Sequence, residues 1–282
     1  MNKEALTTAG VLVSVIFFGL KTYAGLVSGS IAIISDAINS FLDVFSYSII
    51  KISVRMQAKA PDKTHPFGHY RAEPLAGFII SLVAFMLGGN IVKDAIISFY
   101  KPKPIFFSKF PLLVLSLAVM VKVILTILFN NEGKKTDSPA LKAAAIDSRN
   151  DVLASLTALI GFYISNYWDN LAALFIGLWI LISAFKLGMS NIGYLIGAAP
   201  NETFLNEIKS LALDIPQVMG VNDVRAHFVG TYLHVEIHIE VKPQLGIQKA
   251  HDIGENVRQK LLTLKDVDTV FVHIDVWEGV NN

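Results

Sequence analysis

Six long apolar stretches dominate the first two thirds of the chain, near residues 7–27, 31–54, 74–98, 107–129, 140–165 and 170–194. Each reaches the roughly 20 mostly apolar residues that a bilayer-spanning helix needs, so the pattern predicts six transmembrane helices. The connections are short: Val27 to Ser30, 55–73, Lys101 to Pro104, 130–139 and Asn166 to Asp169. The first stretch has no small-residue cleavage site and five similar runs follow it, so it reads as a span rather than a removable signal peptide. Past Ala199 the period changes. Asn201 is placed to cap a helix through Ala212, and Pro216 closes it. Residues 221–229 and 231–242 read as a hairpin about Gly230, with Val235, Ile237, Ile239 and Val241 alternating against Glu236, His238 and Glu240. A helix over about 248–263 and a strand over 267–277 follow; in the strand Val270, Val272, Ile274 and Val276 alternate with Phe271, His273 and Asp275. The expected architecture is an α-helical membrane domain with six transmembrane helices over 1–199, then a small α+β domain of order αββαβ over 200–282.

Composition agrees with that division. The chain is 53% hydrophobic and 17% charged, which excludes disorder and argues against an all-soluble enzyme. It has no Cys, hence no disulfide scaffold, thiolate zinc site or cysteine nucleophile. Residues 1–199 carry 17 Lys and Arg against 11 Asp and Glu, net +6, and residues 200–282 carry 7 against 12, net −5. An acidic tail attracts cations and has little affinity for nucleic acid. The loop at 55–73 with its edges holds Lys51, Arg55, Lys59, Lys63 and Arg71; with Lys134, Lys135 and Lys3 these make eight positive charges, against Lys101, Lys103 and Lys109 on the other side. The expectation is a multi-pass cell-membrane protein, surrounded by membrane lipid, with both termini cytoplasmic.

Charges inside apolar spans carry the chemistry. An ionised Asp at mid-membrane costs about 2.5–3.5 kcal/mol on insertion scales, so each one asks for a function. The second stretch holds Asp36, Asn39 and Asp43, and the fifth holds Asp147 and Asp151. At about 100° per residue the first three share one face within about 60°, and the second pair lie about 40° apart. Two facing helices with such oxygen pairs could surround one divalent cation with four ligands, Asn39, Asp43, Asp147 and Asp151. The competing reading gives the Asp residues structural hydrogen bonds or ion pairs with Arg149 and Lys122. Arg149 points about 160° away from its two Asp neighbours, while Lys122 could pair with an Asp or snorkel to the interface. Oxygen donors suit Mn2+ better than Zn2+, which favours imidazole and thiolate.

The stretches Ser30 to Asp43 (SIAIISDAINSFLD), Pro61 to Glu73 (PDKTHPFGHYRAE) and Ala145 to Asp151 (AIDSRND) resemble the cation diffusion facilitator family of metal/proton antiporters. The resemblance covers essentially the whole chain. It implies a homodimer that exports divalent cations in exchange for protons, with a metallochaperone-like cytoplasmic domain. Its transport site corresponds to Asn39, Asp43, Asp147 and Asp151. Zinc members usually carry His or Asp where Asn39 stands and often His where Asp147 stands, so the departures here point to Mn2+ as cargo, with Fe2+ and Zn2+ as alternatives. The resemblance also implies an accessory metal site at Asp62, His65 and His69, although Pro66 argues against a regular helix that would set the two His one turn apart. In the tail it implies metal ligands at His238, His251, His273 and Asp275. A further ligand position falls on Asn222, a poor donor. His227 and His234 read as surface residues. Two other functions compete with transport. A metal-dependent intramembrane hydrolase would want His ligands and a general base, yet none of the seven His lies in a span and no HExxH occurs. A non-transporting sensor or partner subunit would not need both ligand pairs.

Overall fold

The computed structural model describes residues 3–102, 104–135, 139–230 and 232–279. The chain divides into two compact units, residues 1–51 with 77–188, and residues 52–76 with 189–282. Among the described residues there are eight helices and three strands.

Six long helices hold the apolar stretches: α1 (Lys3–Ser28), α2 (Ile31–Gln57), α3 (Ala72–Tyr100), α4 (Lys109–Lys135), α5 (Pro139–Ile164) and α6 (Asn166–Ile196). Several run past the apolar segments, because backbone hydrogen bonding continues where hydropathy stops: α4 reaches Lys135, and α6 starts at Asn166, so the expected connection Asn166 to Asp169 is its first turn. Five of them are long and apolar enough to cross a membrane. The other, α5, has 26 residues but carries Asp147, Arg149 and Asp151 inside it. Large apolar side chains such as Leu12, Ile16, Met86, Leu113 and Ile182 face outward, as a lipid-facing surface requires. Inside, Ala24, Ala32, Ile33, Phe162, Ala172 and Ala173 are buried together. Small residues let the backbones approach closely: a Cβ on Gly161 of α5 would meet the Ala172 Cβ at 2.6 Å and the Trp168 carbonyl oxygen at 2.9 Å. Asp169, in the first turn of α6, is buried. It accepts hydrogen bonds from the Ser30 hydroxyl (2.5 Å) and the amides of Ile31 (3.0 Å) and Ala32 (3.3 Å). It thereby caps α2 from another helix, satisfying amides that the first helical turn leaves open.

The second unit contains α7 (Glu202–Leu213), β1 (Gly220–Val229), β2 (Tyr232–Val241), α8 (Ile247–Leu261) and β3 (Val267–Val276). The Asn201 side chain accepts from the Phe204 amide at 2.9 Å and caps α7, as expected. The hairpin turns at Gly230, whose φ of 68° suits glycine. The sheet order is β1-β2-β3; β1 pairs antiparallel with β2, and β3 pairs parallel with it after the α8 crossover. The inward residues of β2, Val235, Ile237, Ile239 and Val241, are buried with Ile208 of α7 and Ile253, Val257 and Leu261 of α8. Val276, expected on that face, is 59% exposed at the strand end. Residues 52–76 belong to this unit: the Tyr70 and Tyr232 rings lie 4.5 Å apart, and Phe67 lies 5.6 Å from His234. This packing corrects the reading of His234 as a surface residue. It is 6% exposed because the loop covers it. Burial pushes its pKa down, against the pull of Asp268.

Candidate metal centres

Asn39, Asp43, Asp147 and Asp151 all line one cavity of about 470 Å³, together with Ser14, Ser46, Tyr47 and Lys122. Helix periodicity brings them there. Asn39 and Asp43 follow one another on α2, Asp147 and Asp151 on α5. The Asn39 Nδ2 donates to Asp151 Oδ1 at 2.9 Å, so the two helices meet through these residues. Lys122 of α4 donates to Asp151 Oδ2 and to the Ser14 hydroxyl at 3.0 Å, and its Nζ lies 3.9 Å from Asp43 Oδ2. Asp43 Oδ2 is buried and accepts no hydrogen bond among the described residues. Asp151 is buried, while Asp147 is exposed. Arg149 is exposed and does not line the cavity. The snorkelling alternative for Lys122 does not hold: it is 3% exposed and ion-paired.

Asp36, the third acidic position on α2, faces a different partner. Lys21 of α1 lies 2.9 Å from Asp36 Oδ2, and both side chains are fully buried. Lys21 also donates to Ser40 (3.1 Å) and Ser155 (3.0 Å), and Ser155 donates to Asp36 Oδ1 (3.2 Å). Sequence reasoning missed Lys21 and the capping role of Asp169. A signal for Lys21 exists, since a cation inside an apolar stretch must find a partner. Which partner depends on how α1, α2 and α5 pack.

The α2–α3 connection brings Asp62, His65 and His69 together, each offering a ligand atom within 4.8 Å of the others. No helix is needed. Asp62 Oδ1 accepts from the Thr64 hydroxyl (2.7 Å) and from the amides of Thr64 (2.8 Å) and His65 (2.7 Å), a turn that folds the loop back. These hydrogen bonds, the Thr64 hydroxyl first, hold the Asp62 carboxyl below the usual carboxylate range. The His65 and His69 rings lie 4.4 Å apart. Asp62 Oδ2 is 3.6 Å from His69 Nε2.

On the open face of the sheet, register sets His238 beside His273 and Glu240 beside Asp275. The two rings are 4.7 Å apart. Asp275 lies 3.1 Å from His273 Nε2 and 3.6 Å from His238 Nδ1, and Asn222 donates to its Oδ2 at 3.1 Å. His238, His273 and Asp275 could together hold a metal ion. His251 stands apart from this trio: it is exposed on α8, 3.4 Å from Asp252. Asn222 orients a carboxylate here.

Comparison with known proteins fits this arrangement. Residues 7–196 match the cation efflux transmembrane domain, and residues 200–276 match the cation efflux protein cytoplasmic domain. The chain belongs to the cation diffusion facilitator family. Within the family it is 36% identical over 270 residues to an uncharacterized transporter of Methanocaldococcus jannaschii, covering 94% of this chain and 95% of that one. It is 31% identical to metal tolerance protein 2 of Oryza sativa subsp. japonica, covering 99% of this chain and 79% of that one. It is 27% identical to the manganese efflux system protein MneP of Bacillus subtilis, covering 94% and 93%. A multi-pass membrane protein that moves divalent cations outward follows from membership.

Proposed function

We propose that this transporter exports Mn2+ from the cytoplasm in exchange for protons, with Asn39, Asp43, Asp147 and Asp151 as its transport site. The observation that carries the reading is that all four line one cavity, and that every one of them is an oxygen donor. Carboxylate and amide oxygens suit Mn2+ better than Zn2+. The similarity to MneP, which is named for manganese efflux, favours the same ion. Ligands must be deprotonated to bind metal, so protons and metal compete for Asp43, Asp147 and Asp151, which is the chemistry antiport requires. Residues 1–199 act as the transport domain with both termini cytoplasmic. Residues 200–282 act as a metal-binding, dimer-forming domain, with His238, His273 and Asp275 as its ligands and Asp62, His65 and His69 as a separate loop site. The mixed nitrogen and oxygen donors of those two sites suit zinc as well as manganese.

Uptake of Mn2+, Fe2+, Zn2+, Co2+ and Cd2+ into proteoliposomes tests the choice of cargo, and Mn2+ is expected to move fastest. Replacing Asp147 with His is expected to raise the Zn2+ to Mn2+ flux ratio about tenfold, since imidazole suits zinc. An unchanged ratio would place selectivity away from this ligand.

A further inference from the structure

We infer that Lys122 is a tethered cation that holds the place of the metal in the unloaded transport site and must be displaced when the ion binds. The inference rests on the proposed transport site. The Lys122 ammonium sits between the two helices that supply the ligands, hydrogen-bonded to Asp151 of α5 and 3.9 Å from Asp43 of α2. Its remaining hydrogen bond goes to Ser14 of α1. Lys122 and all four ligand positions line the same cavity. A divalent ion reaching Asp43 and Asp151 would meet a like charge at contact distance, and the two cannot share Asp151 without repulsion. The flexible stem of a lysine lets its head group move within the cavity while the stem stays packed.

Two consequences follow from that geometry. With metal absent, Lys122 compensates buried Asp151 and part of the charge of half-buried Asp43, so the empty carrier can change state without leaving a buried carboxylate unpaired. With metal present, the same lysine competes for Asp151, which weakens binding and helps release. Lys122 is thus a positioning residue that sets affinity against turnover, rather than a ligand.

The test is steady-state flux in proteoliposomes, run with Mn2+ and with Zn2+ and read with whichever ion the unmodified protein carries faster. Lys122→Gln keeps a hydrogen-bond donor for Asp151 and removes the charge. It is expected to lower KM about tenfold and to lower kcat as well, because unloading and the empty return become slower. Lys122→Arg keeps a tethered charge and is expected to hold KM within about threefold of the unmodified value. A lysine with only a structural role would change protein yield or kcat and leave KM where it was. An unchanged or raised KM in Lys122→Gln overturns the inference. Acylation of Lys122 in the unmodified protein, followed by peptide mass spectrometry, gives a readout that needs no variant. It is expected to rise when metal is added, and no rise, or protection, overturns the inference. Asp43→Ala runs alongside. If it transports normally, the transport-site reading falls and this inference with it; if it is inactive and the Lys122 results go the wrong way, this inference alone falls.

Discussion

Asp43→Ala and Asp151→Ala are each expected to reduce metal flux to background, a loss of at least about 100-fold, with Asp43→Ala still present in the membrane. Even groups one layer behind a metal ligand cost roughly 10–100-fold in affinity or activity when removed, and the proposed site has no spare carboxylate of the same placement. The two variants differ in stability. Asp151 is the main partner of buried Lys122, and removing one member of a buried pair costs about 3–5 kcal/mol. Asp43 contacts the same ammonium only at 3.9 Å. Asp43→Ala is therefore the cleaner test, with protein amount in the membrane measured beside flux. Near-normal flux from both variants would remove the assignment of the site.

In the full-length protein, adding Zn2+ or Mn2+ is expected to slow amide exchange across β2, α8 and β3. A metal that binds only the folded domain adds about 2.7 kcal/mol at a hundredfold excess over its dissociation constant, which corresponds to about a hundredfold slower global exchange. His273→Ala combined with Asp275→Ala is expected to abolish the effect, since Asp275 lies between both rings. His251→Ala is expected to leave most of it, because His251 is paired with Asp252 away from the trio. Zinc is expected to act at lower concentration than manganese, as imidazole ligands favour it. Exchange that ignores both metals would leave this domain as a dimer-forming module only.

The parts of the molecule readable from sequence are those governed by period. Six apolar stretches became six helices, and the alternation along β2 and β3 placed His238, His273 and Asp275 on the open face. The i, i+4 spacing of Asp147 and Asp151, with Asn39 and Asp43 one turn apart on another helix, put all four on one cavity. What stayed hidden depends on contacts between distant segments. Lys122 could pair or snorkel on sequence grounds, and only the approach of α4 to α5 decides that it pairs. Lys21 finds Asp36, Ser40 and Ser155 through the packing of three helices. Asp169 sits in what reads as a short polar connection, yet it caps a helix 138 positions away in the chain. His234 alternates like a solvated strand residue until the loop carrying Phe67 closes over it. In the loop itself, Pro66 correctly argues against a helix, and the turn built on Asp62 brings His65 and His69 together by another route.

In the proposed transport cycle one divalent cation moves outward as protons move inward through a site made of Asn39, Asp43, Asp147 and Asp151. The most direct measurement is Mn2+ uptake into proteoliposomes with an imposed pH gradient and a lumenal pH dye, using the unmodified protein beside Asp43→Ala. Mn2+ uptake is expected to be faster when the lumen is acid and to alkalinise the lumen, with neither signal from Asp43→Ala. Mn2+ uptake that is indifferent to the gradient, with no proton movement, would contradict that cycle.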